Sequence, residues 1–109
     1  MAFGHKINKK VEVNTFLDMI QEYEEKDIET SDHSFTRFNE KQKEIYNEEF
    51  IKEIIFSKTP FLTGVQENNL WALFYKYKKG IWRVMADLRP NKIYIVTFYK
   101  IVEEQIPKI

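Results

Sequence analysis

The spacing of apolar side chains changes character at Pro60. Upstream, Val13, Phe16, Leu17, Ile20 and Tyr23 recur at intervals of three and four, the period of an amphipathic helix. Asn14 stands where a cap belongs, and Asp18 falls in the first turn. The stretch EEKDIET breaks the pattern, with Ile28 and Thr30 suited to a short extended segment. Ser31 or Asp32 then caps a second predicted helix running through Phe35, Phe38 and Ile45. A third follows: Asn47 caps it, Glu48 and Glu49 suit its positive end, and Phe50, Ile51, Ile54 and Ile55 form its apolar stripe. Pro60 stops it, because the residue before a proline is pushed out of the helical region.

Downstream of Pro60 the period is two. FLTGVQ, LWALFYKY, IWRVMADL and KIYIVTFYKI read as four strands, separated by ENN, KKG and RPN turns. In the third strand Trp82, Val84, Ala86 and Leu88 alternate with Ile81, Arg83, Met85 and Asp87. The first set is expected to face the helices, which points Arg83 to the opposite side. The fourth strand is apolar on both sides and belongs inside the sheet. Helices first and strands afterwards predict an α+β domain. Its N-terminal helices pack on one face of a four-stranded antiparallel meander. One row is then left for the other face: either Trp71, Leu73, Tyr75 and Tyr77, or Ile93, Ile95, Thr97, Tyr99 and Ile101.

Composition narrows the class. A chain of 109 residues is one domain, residues 1–109, and it buries enough surface to fold without metal or disulfide support. Nine Phe, six Tyr and two Trp supply the core. No Cys is present, which removes disulfides, thiolate metal sites and cysteine nucleophiles, and fits a cytoplasmic setting. No apolar run is long enough to span a membrane, and MAFGHKINKK has no export-signal core. The net charge of zero is uneven: +3 over residues 1–10, −8 over 11–53 and +5 over 54–109. The last segment offers a cationic surface to an anionic ligand, although a solvated surface accounts for it equally.

The chemistry-bearing residues fall into three clusters. Two His and scattered glycines argue against a metal site and a phosphate-cradling loop, so neither metal nor cofactor is expected. His33 and Arg37 stand four apart at the predicted start of the second helix, where neighbouring side chains sit about 5–6 Å apart at Cβ. An imidazole moves protons near neutral pH, and a guanidinium holds phosphate with paired hydrogen bonds. Spacing alone favours the plainer alternative, a surface arginine near a helix-start histidine. The second cluster, YKYKKGIWR, interleaves bases with rings, as RNA binding or a lysine-protected hairpin edge requires. In the third, IVTFYK, Thr97 and Tyr99 project together, and strand propensity alone also explains them.

Taken in order, TSDHSFTRFN, SKTP, two hairpin strands and IVTFYK resemble small RelE-like and BrnT-like ribonuclease toxins. Those families belong to the larger barnase, EndoU, colicin and RelE superfold. The likeness spans residues 28–101, with 1–27 as a helical extension outside it. It implies metal-independent RNA cleavage by 2′-hydroxyl attack, with His33 moving the proton and Arg37 and Arg83 steadying the phosphoryl oxygens. Thr97 and Tyr99 would complete the catalytic set. Lys58, Trp71, Tyr75, Tyr77 and Lys78 would hold RNA, and an antitoxin protein would be the partner. The alternative is a non-catalytic nucleic-acid- or protein-binding module of the same fold.

Overall fold

A computed structural model describes residues 6–109. Six strands form one mixed sheet in the order β1-β3-β4-β5-β6-β2. They are β1 (Ile7–Val11), β2 (Ile28–Thr30), β3 (Leu62–Gln66), β4 (Trp71–Tyr77), β5 (Gly80–Arg89) and β6 (Lys92–Ile101). The helices are α1 (Val13–Ile20), α2 (Glu40–Ile45) and α3 (Glu48–Ser57). This corrects the expected four-stranded meander. The strands predicted after Pro60 form the antiparallel centre, but both edges come from the first third of the chain. β1 pairs antiparallel with β3, and β2 pairs parallel with β6, Ile28 opposite Ile93 and Thr30 opposite Ile95. Of the expected helical extension over 1–27, the described residues 6–27 are not all helical, since β1 belongs to the sheet.

The path explains why α1 and α3 share one face. α1 leaves the β1 edge, and the chain reaches β2 at the opposite edge. α2 and α3 then return it to β3. Phe16 and Ile20 of α1 and Phe50, Ile51, Ile54 and Ile55 of α3 meet Leu73, Tyr75, Trp82, Val84, Ala86, Ile93, Ile95 and Phe98 in the main core. Asn47 accepts from the Phe50 N–H at 3.1 Å, the cap read from sequence. The N-cap of α1 lies two residues earlier than predicted, at Glu12 rather than Asn14, and Glu12 makes no side-chain cap bond.

The predicted second helix does not form as one piece. Asp32–Phe35 is a 3-10 turn, and α2 begins afresh after Asn39. Asn39 and Gln42 exchange side-chain-to-backbone bonds of 2.8 and 2.9 Å, a reciprocal cap that sets a new helix start. The 3-10 turn is tied down instead by Ser34, whose buried hydroxyl donates to the Ile95 carbonyl at 3.0 Å.

The second sheet face is also covered. Ile7, Ala72, Phe74, Met85, Tyr99 and Ile101 form a smaller core there, with Leu62, Ile81 and Ile106 packed on it. Ile106 lies in the segment that follows β6, and that segment ends near Gly64 of β3, within reach of Ile109. A β-carbon at Gly64 would stand 2.6 Å from an Ile7 methyl and 2.9 Å from the Lys9 carbonyl. Only glycine admits β1 that close.

Candidate functional site

A break of register in β6 decides which side chains meet. Met85 pairs with Thr97 but Ala86 pairs with Ile95, leaving Val96 as an extra residue. A single inserted residue reverses side-chain parity beyond it. Ile93, Ile95 and Phe98 therefore face the helices, while Thr97, Tyr99 and Ile101 face away. Neither row named from sequence survives as the lining of an uncovered face. The fourth-strand row is split by the bulge. Trp71, Leu73, Tyr75 and Tyr77 all lie on the helix side.

Three of the five catalytic candidates meet on the second face. The Arg83 guanidinium donates to Gln66 Oε1 at 2.8 Å and lies 5.2 Å from the Phe74 ring centre. Burial pushes its pKa down, and the neighbouring Tyr99 opposes that shift. Desolvation raises the Tyr99 pKa, while Arg83 and Arg37 lower it. Arg37 is exposed, and its guanidinium sits 4.6 Å above the Tyr99 ring centre. It gets there because the chain wraps the β6 edge: Phe35 and Phe38 pack on Phe98 from the helix side, and Arg37 between them turns to the other. Thr97 shares this face, and its buried hydroxyl has no hydrogen-bond partner among the described residues.

His33 is exposed in the 3-10 turn, and its side chain makes no hydrogen bond or ion pair with another described residue. It does not share a helix face with Arg37, because no helix spans the two. Arg83, Tyr99 and Thr97 are only 2%, 4% and 7% exposed. Groups this buried offer little surface to a phosphodiester.

The five residues named as RNA contacts separate into two groups. Trp71 packs 5.9 Å from Phe16, half-buried, and Tyr75 is wholly buried in the main core. Burial drives the Tyr75 pKa up, and its hydroxyl has no partner among the described residues. Tyr77 and Lys78 stand at the β4–β5 hairpin end, joined there by Lys58. Lys58 Nζ is 5.1 Å and Lys78 Nζ 5.4 Å from the Tyr77 ring centre. The Tyr77 hydroxyl donates to Glu53 at 2.7 Å, which raises its pKa.

Three further lysines gather at the same end. Lys76 lies 5.2 Å from the ring of exposed Phe61. Lys79 is the second turn residue, and the Lys100 stem crosses Gly80, where a β-carbon would meet its Cε at 2.5 Å. The run of lysines was visible in YKYKKG, but Lys58 and Lys100 join it only through folding. None of these five lysines is within ion-pair distance of a described carboxylate; the ion pairs among the described residues use Lys26, Lys43, Lys52, Arg89 and Lys92. A depression of about 430 Å³, lined by Lys76, Tyr77, Lys78, Lys79, Gly80, Ile81 and Glu103, lies at this end.

Among the described residues no acidic or histidine cluster is placed to hold a metal, and no helix is long and apolar enough to cross a membrane. No family model, curated protein or solved structure matches this chain.

Proposed function

We propose that the chain is a nucleic-acid-binding module that holds single-stranded RNA at the β4–β5 hairpin end. One observation carries this reading: Lys58, Lys76, Lys78, Lys79 and Lys100 converge there, and none is neutralised by a described carboxylate. Unpaired ammonium groups displace counterions from phosphates, and the flanking Tyr77 and Phe61 rings offer surfaces for unstacked bases. The setting is the cytoplasm, where such a ligand is found.

Fluorescence anisotropy with a labelled single-stranded RNA tests it. Three or four phosphate contacts give a slope of log affinity against log salt of about −2 to −3. A combined Lys58→Ala, Lys76→Ala and Lys100→Ala variant weakens binding and flattens that slope. Salt-independent binding, or an unaffected variant, overturns the reading.

A metal-independent ribonuclease is the second reading. Its support is the meeting of Arg37, Tyr99 and Arg83, together with the resemblance to RelE-like toxins; burial of Arg83 and Thr97 weighs against it. On this reading an antitoxin would be an acidic protein seated over the lysines. Loss of about 10²–10⁴ in RNA cleavage by folded His33→Ala, with a DNA copy left intact, supports it. Absence of cleavage by the unaltered protein removes it.

A further inference from the structure

The β4–β5 turn is built from residues that fit its backbone poorly. Tyr77 pairs with Gly80, so the loop is Lys78 and Lys79 alone. Both are left-handed, with φ of 49° and 62°. Two-residue hairpins with two positive φ values are normally made from Asn-Gly or Asp-Gly, because a β-carbon is strained there. Asn69, at φ 68°, shows the usual solution at the neighbouring β3–β4 turn. Protection of the hairpin end from aggregation does not require lysine at these positions, since Asn and Gly are soluble too. Backbone strain persists where a side chain is needed for something else.

Resting on the RNA-binding reading above, we infer that Lys78 and Lys79 are the principal phosphate contacts of the site, held in strained backbone because their charge is needed at the tip. The two are exposed and adjacent, and they line the depression together with Lys76. Lys78 Nζ lies beside the Tyr77 ring, where Lys58 Nζ also lies, and the Lys100 stem crosses Gly80, so Lys58 and Lys100 add to the cationic field at the turn.

Two variants separate charge from strain. Lys78→Asn with Lys79→Gly relieves the backbone and removes both charges. Lys78→Arg with Lys79→Arg keeps both. The first is expected to melt roughly 5 °C higher than the unaltered chain. It binds single-stranded RNA roughly ten-fold more weakly at about 50 mM salt, with the salt slope reduced by about 1.4. The arginine variant keeps the original melting temperature and affinity. If the unaltered chain binds RNA and the Asn-Gly variant binds it as tightly, the inference fails and the RNA-binding reading stands. An Asn-Gly variant that melts no higher removes the strain argument and the inference with it. If the unaltered chain binds no RNA, both fall.

Discussion

The two faces of the sheet are packed from different materials. The helix side is a continuous aromatic and aliphatic core: Phe50, Trp82 and Phe98 lie with ring centres 5.0–6.2 Å apart, and Tyr46, Phe35 and Phe38 close around them. The far side is smaller, mixes Arg83, Gln66 and Thr97 with apolar residues, and is covered by the C-terminal segment rather than by helices. Buried area on the first side is almost all apolar, so its contribution scales with that area. On the second side, polar groups must find partners, and close backbone approach at Gly64 limits what fits. Stability therefore resides mainly on the helix side, and sensitivity to small additions on the other.

The largest effect should come from the helix side. Phe98→Ala removes the ring touched by Phe35, Phe38, Phe50 and Trp82, and should lower stability by about 3–5 kcal/mol in urea unfolding. On the far side, Gly64→Ala should lose about 1–3 kcal/mol, because its methyl meets the Lys9 backbone, which cannot swing away. A greater loss from Gly64→Ala than from Phe98→Ala would reverse the comparison.

Tyr75→Phe sharpens it from within the helix side. The buried hydroxyl has no described partner, so removing it should raise stability by about 1 kcal/mol. The tyrosine pKa is raised in the folded state, so the folded chain keeps a proton that the unfolded chain releases above about pH 10. The contribution is complete below that pH and is lost as pH rises further. Urea midpoints measured between neutral pH and pH 11 should fall less steeply for Tyr75→Phe. The smallest change is Arg37→Ala, about 0.5 kcal/mol, because its contact with Tyr99 is at the exposed rim. A loss several times larger in the same unfolding assay would place Arg37 among the supports of the far side.

The strands after Pro60 were legible because alternation and turn residues agree with one another, and α3 because the Asn47 cap agrees with its apolar stripe. What was missed lacked such a signal. INKKV has apolar residues only at its ends and joins β3 through an irregular register, so β1 carries no clean period of two. β2 is three residues long, and parallel pairing across 65 positions leaves no local trace. The Val96 bulge sits in a strand apolar on both sides, where a parity change alters nothing that hydropathy can register. That one residue separated Thr97 and Tyr99 from Ile93 and Ile95. The lysine-rich hairpin was readable as a run of residues, whereas the gathering of Lys58 and Lys100 beside it needed the tertiary fold.

The assignment of both sheet edges to the start of the chain has a consequence during synthesis. β1 and β2 are made before their partners: β1 must wait for β3, and β2 for β6, the final strand of the sheet. Until then the earliest segments hold open hydrogen-bonding groups and the apolar side chains of α1. Pairings so distant along the chain form slowly and late. Completion of the fold thus waits until β6 has been made, and truncation within β6 should leave β2 without the strand it pairs with.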